Sequence, residues 1–211
     1  MLENLHEKER LFAEELISDS FSMASTSLGQ ILQDTTIQVK NLDFMIDKVN
    51  GEHVYSNKKG KGVHVIKTEF NGELRGLCHL IFSEIEVKTV HNTCLPEDIL
   101  KDDNLKSKKM KWAILVEVAN MVSSAVLNKF SYSFDTHIQG KVPTLKVISN
   151  EMVNEYIDNE ANEFSNPIVF KAIFYSPTLN LSLDFIWLLD DTFISKIKEI
   201  AQYRIEEKRC A

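Results

Sequence analysis

The sequence predicts an α+β fold made of two similar halves, each running helix, strand, β-hairpin, helix. Three observations predict it. Alternating apolar runs, Gly62 to Phe70 and Leu74 to Phe82, flank Asn71-Gly72, and Asn-Gly between such runs is a strong hairpin signal. A second pair of runs, Pro167 to Ser176 and Asn180 to Leu189, repeats the first: Leu74, Gly76, Cys78, Leu80 and Phe82 fall on Leu181, Leu183, Phe185, Trp187 and Leu189 at a constant offset of 107 residues. A helical pattern precedes each hairpin, and there Glu15 falls on Glu117 at an offset of 102. Such copies are expected to pair about a pseudo-twofold axis as one domain over 1–211, with long helices packed on antiparallel sheet. The repeats span about 8–100 and about 106–207.

In order along the chain, residues 8–32 read as helix, with an interruption expected near Ser18-Asp19-Ser20 and a late apolar face at Leu28, Ile31 and Leu32. Thr35 to Val39 reads as strand. Turn signals fill 43–62, ending in the Lys58-Lys59-Gly60-Lys61-Gly62 tip. After the first hairpin, Ser83 can cap a helix containing Ile85 and Val87. Pro96 and a polar segment from Lys101 to Lys111 lead to a long helix, about Lys108 to Phe130. Strands are expected at Phe134–Ile138 and Thr144–Ile148, and a helix at Asn150–Ala161. A last helix is expected from about Asp191, capped by Asp190-Asp191, to Glu207.

Composition excludes several classes. Apolar residues make up 44% and charged residues 26% of the chain, as in ordinary folded proteins rather than disordered ones. The net charge of −7 argues against nucleic acid as a default partner. The charged N-terminus is unlike a signal peptide, and no apolar run is expected to span a membrane, so the cytoplasm is the expected location. Cys78, Cys94 and Cys210 make no disulfide framework. Cys78-His79 and His91-x-x-Cys94 lack the tight paired spacing of zinc sites, and Cys78 reads as a buried strand residue. There is no Gly-x-Ser-x-Gly elbow and no Walker loop. No metal site is expected.

The chemistry concentrates on the long helix. Ala113, Glu117, Asn120, Ser124 and Asn128 form one narrow stripe at 100° per residue. Ile114, Leu115, Val118, Val122, Ala125 and Val126 lie elsewhere and can face a core. A carboxylate can hold a cation, and a carboxamide can orient a water through its donor and acceptor.

Glu117-x-x-Asn120, followed after twenty-two residues by Pro143, resembles the signature of the chemotaxis phosphatases, the CheC/CheX/FliY family. The pattern there adds an Asp or Ser four residues before the Glu, where this chain has Ala113. CheC-like members are duplicated and of similar length, so the resemblance covers nearly the whole chain. The first half is similar to the family around Glu15 and Leu28-Gly29-Gln30-Ile31-Leu32, but Ser18 stands at the Asn position and Asn41 at the Pro position: a vestigial site with Glu15 kept. The resemblance implies a phosphatase acting on the phospho-aspartate of a response-regulator receiver domain, with no metal of its own and Mg²⁺ supplied by the receiver. Asn120 would place the attacking water, much as a positioned glutamine does in GTP hydrolysis, and Glu117 would dock the receiver's lysine. Ser124 and Asn128 are candidate receiver contacts, and Lys106, Lys108, Lys109 and Lys111 can steer an acidic pocket. A CheD-like partner and a homodimer are compatible with the family. The alternative is an inactive receiver-binding adaptor or sensor module, which the loss of the first site and Ala113 favour.

Overall fold

The structure, a computed structural model, describes residues 5–46, 55 and 62–210. The chain runs α1 (Glu7–Leu32), β1 (Gln38–Ile46), β2 (Gly62–Gly72), β3 (Gly76–Ser83), α2 (Glu84–Cys94), α3 (Glu97–Lys101), α4 (Leu105–Phe134), β4 (Ile138–Gly140), β5 (Thr144–Ser149), α5 (Val153–Ala161), β6 (Ile168–Ser176), β7 (Leu181–Leu189) and α6 (Thr192–Cys210). Among the described residues seven strands join one antiparallel sheet in the order β1-β6-β7-β3-β2, with β4 and β5 both on the outer edge of β2.

That order is symmetric, and the halves exchange their first strands. β1 pairs with β6 of the second hairpin, and β5 with β2 of the first. At the centre β3 pairs with β7, and His79 faces Ile186, two residues related by the 107-residue offset, so the pseudo-twofold axis passes through this pair. The helices obey the same symmetry. α1 and α4 end in left-handed cap residues Gln33 and Asp135, 102 apart. The buried residues of α4 from Leu115 to Phe134 each fall, at that offset, on a buried residue of α1 between Ala13 and Leu32.

α1 and α4 lie antiparallel on one face of the sheet. Lys129 reaches Asp19 at 3.0 Å, while the C-terminal end of α1 and the N-terminal end of α4 both meet α2, through Cys94 Sγ with the Ile31 carbonyl and His91 Nε2 with the Lys111 carbonyl. Between helices and sheet, Trp187 is ringed by Phe21, Phe70, Phe130 and Phe185, with centroids 5.2–6.4 Å away. α5 covers part of the opposite face, where Val65, Leu77, Ile81, Val169, Ile186 and Leu188 pack with Val153, Ile157 and Ala161. Strand alternation sends even-numbered residues of β2 and β3 to the helices and odd-numbered ones to α5, so both faces are apolar.

Several expected boundaries change. α1 is continuous through Ser18-Asp19-Ser20, because Ser20 is buried and turns its hydroxyl back onto the Leu16 carbonyl at 2.6 Å. β1 begins at Gln38 rather than Thr35 and extends through 43–46, where turns were expected, because β6 pairs with it; most of the rest of 43–62, including the lysine-rich tip up to Lys61, lies outside the described residues. Asn71-Gly72 ends β2, pairing with Gln139 and Ile138, and the first hairpin turns at 73–75. Gly72 has φ +127°, open to few other residues. α4 starts at Leu105, inside the segment read as polar, because Asn104 accepts from the Ser107 amide at 2.9 Å. It continues to Phe134, so the strand expected at Phe134–Ile138 is displaced to β4, which begins only at Ile138. α2 follows Ser83 in a reciprocal cap with Glu86. The expectation of no span-length apolar run is also corrected: α4 is long and apolar enough to cross a membrane, yet here it is a core helix against α1 and the sheet.

Candidate functional site

α4 presents its two faces unequally. Leu115, Val118, Ala119, Val122 and Val126 are buried, whereas Ile114 and Ala125 are only half-buried. On the outer face Ala113 and Glu117 are exposed and Asn120 is half-buried. One turn separates Glu117 from Asn120, so their side chains neighbour each other. Among the described residues neither side chain has a hydrogen-bond or ion-pair partner; only the Asn120 carbonyl is engaged, by Ser123 Oγ at 3.1 Å. A carboxylate and a carboxamide held on a long, well-packed helix with their polar atoms uncommitted can both engage an external molecule.

Pro143 is buried where the outer edge of the sheet is interrupted. Thr144 pairs with Lys67, and the Lys141 amide donates to the Glu69 carbonyl at 2.7 Å. Residues 142–143 therefore run past Thr68. A proline, lacking an N–H, suits an edge position where the ladder breaks. Thr68 Oγ1 lies 3.5 Å from Ser123 Oγ, one turn beyond Asn120. The helix and the proline of the sequence pattern thus converge on the same stretch of β2.

The other sequence candidates divide. Ser124 is half-buried and stays beside the pair. Asn128 is exposed, about 12 Å along the helix from Asn120, and lines a separate hollow with Ser131, Tyr132, Asp135 and His137. In the first half, Glu15 and Ser18 are exposed on α1 at the places equivalent to Glu117 and Asn120. Asn41 lies in β1 with φ 49°. By sheet register, however, Val39 opposite Phe174 matches Thr144 opposite Lys67, which makes Gln38 the counterpart of Pro143.

Two surface residues that sequence reasoning missed frame the pair. Met110 and Met121 are exposed large apolar side chains on the same outer face as Glu117 by helical angle. Their signal was present in the sequence, but without knowledge of the buried face a methionine reads as core. Flexible, polarizable methionines suit adaptable contact surfaces. Among the described residues no group of three His, Cys, Asp or Glu is placed to hold a metal. Cys78 is buried, and His91 is occupied by the Lys111 carbonyl at 2.8 Å.

An antiparallel sheet with exchanged strands and two antiparallel helices across it make a CheC/CheX/FliY-like fold. The crystal structure of Thermotoga maritima FliY matches with a TM-score of 0.64 and 17% identity over 95% of this chain and 98% of that one. A chain of the CheX–CheY–BeF3–Mg²⁺ complex from Borrelia burgdorferi matches with a TM-score of 0.56 and 18% identity over 82% and 96%. A chain of the FliM–SpeE complex from H. pylori matches at 0.55 with 11% identity over 93% and 97%. At these identities the likeness is one of fold. No protein-family model matches the chain, and no curated protein sequence matches it significantly.

Proposed function

We propose that the protein is a phosphatase for the phospho-aspartate of a response-regulator receiver domain, with Glu117 and Asn120 as its working pair. The observation that carries this reading is the pair itself: an acid and an amide one turn apart, uncommitted, on the outer face of the helix that this fold shares with CheX and FliY. An acyl phosphate is already reactive, so the protein's task is mainly to place a water in line with phosphorus. Asn120 can accept from that water and donate to a phosphoryl oxygen without acting as a strong base. Glu117 ion-pairs with a lysine of the receiver and thereby fixes the approach of Asn120. The receiver brings its own Mg²⁺. The CheX–CheY complex supports a receiver as the partner.

A second reading, an adaptor that binds without hydrolysis, draws on Ala113, on Ser18 in place of an amide, and on the fold likeness to chains of the FliM–SpeE and FliG–FliM complexes. Calorimetric titration with a phosphorylated receiver separates the roles. Glu117→Gln is expected to weaken binding, whereas Asn120→Ala keeps binding and loses turnover. Equal affinity for Glu117→Gln and the wild type would remove Glu117 from the docking role.

A further inference from the structure

We propose that the first two turns of α4 are a docking surface for an acidic protein segment that carries a large apolar side chain. Leu105, Lys108, Lys109 and Trp112 line one groove, and their spacing of three, four and seven residues puts them on one face. Leu105 is 71% and Trp112 54% exposed. The same face continues as Ala119, Ser123 and Leu127, which are buried; Ser123 meets Thr68 of β2, and Leu127 lies beneath Gly140 of β4. The core stripe of α4 therefore begins at Leu105, about 20 Å before it is first buried at Ala119. A neighbouring hollow, lined by Leu105, Lys106, Lys109, Met110 and Ala113, leads toward Glu117.

The chemistry of the occupant follows from what is left unmatched. Lys106, Lys108 and Lys109 are exposed, and among the described residues none has an acidic partner. Lys111, by contrast, is tied to the Leu100 and Asp102 carbonyls at 3.0 and 3.1 Å. The first turn of α4 holds no acidic residue, so these lysines oppose the helix dipole rather than stabilise the helix. In a chain of net charge −7, a local basic surface with an apolar centre complements an outside acid rather than the bulk of its own surface. By helical angle Leu105 and Trp112 lie between Lys108 and Lys109. A helix lying in a membrane interface segregates its lysines onto the opposite face from its apolar residues; here they interleave. That arrangement fits an apolar side chain flanked by carboxylates. The surface uses neither Glu117 nor Asn120, so it stands independently of the phosphatase reading.

Trp112 reports on it directly, because Trp187 is fully buried and gives a constant background. The probe is a synthetic helical peptide with leucine and phenylalanine along one stripe flanked by glutamates, titrated into the full chain while tryptophan emission is followed. A saturable shift is expected, absent in Trp112→Phe. Lys108→Glu/Lys109→Glu should weaken it about tenfold and should bind the peptide whose glutamates are replaced by lysines. The double variant's thermal melt is compared with that of the wild type to show that it folds. The proposal is overturned by no response, by an equal response to a peptide whose apolar residues are serine, or by a response only to phosphatidylglycerol–phosphatidylcholine vesicles. A shift that follows the protein's own concentration without peptide overturns it too, by making a second copy the occupant.

Discussion

Replacing Phe130 with alanine should separate what holds α4 from what α4 displays. Phe130 is fully buried, with its ring 5.8 Å from Trp187, 5.6 Å from Phe193 and 6.0 Å from Phe134. It lies about 15 Å along the helix from Asn120, on the core-facing side about 80° round from Asn120 and about 140° round from Glu117. Truncation removes a ring's worth of buried area and leaves a void that this crowded aromatic cluster can fill only in part. The expected loss is about 3–5 kcal/mol, which for a domain of this size lowers Tm by about 6–20 °C. Asn120→Ala removes a side chain with no partner among the described residues and should change stability by less than about 0.5 kcal/mol. Urea unfolding followed by circular dichroism measures both. A loss below about 1 kcal/mol for Phe130→Ala, or equal losses for the two variants, would refute the division of α4 into a packed face and a presented face.

Other consequences follow from buried groups. Burial, with Lys67 and Lys146 nearby, pushes His79 from 6.5 down to about 3, and the Tyr156 ring packs edge-on over it at 5.6 Å. The unfolded chain therefore takes the proton first: this contribution is whole above about pH 6.5 and shrinks by about 1.4 kcal/mol per pH unit between there and about 3. His79→Leu should flatten that slope in a pH series of urea midpoints, and an unchanged slope counts against it. Gly76→Ala would bring a Cβ to 2.6 Å from the Phe70 ring and against the Leu188 carbonyl, so a loss of about 1–3 kcal/mol is expected; a variant as stable as the wild type would contradict the packing. The Cys78 thiol is buried, and burial pushes its pKa up. Peptide mapping after alkylation should find Cys78 unmodified in the native protein and modified in denaturant.

Both hairpins were legible in the sequence, because period-2 alternation of residues such as Cys78, Leu80 and Phe82 is a local signal. The exchange of β1 and β5 between halves was not, because strand partners more than 60 residues apart leave no local trace. Asn71-Gly72 misled for a related reason: β4, a strand from the other half, captures the dipeptide into the sheet. The start of α4 was hidden because Asn104 caps a turn of lysines, the reverse of the charge a helix start usually shows. At the site, the sequence singled out Glu117 and Asn120 and set them on one stripe, but which side of α4 faces water depends on α1 and the sheet. Met110 and Met121 became part of the picture only once that side was known.

The most direct measurement is the decay of phosphate from a receiver domain loaded with a small phosphodonor, followed with wild-type protein, with Asn120→Ala and with neither. Faster decay is expected with the wild type, and a return to the receiver's own rate with Asn120→Ala, which remains folded and bound. The same decay with the wild type and without it, for a receiver that this protein binds, would contradict the phosphatase reading.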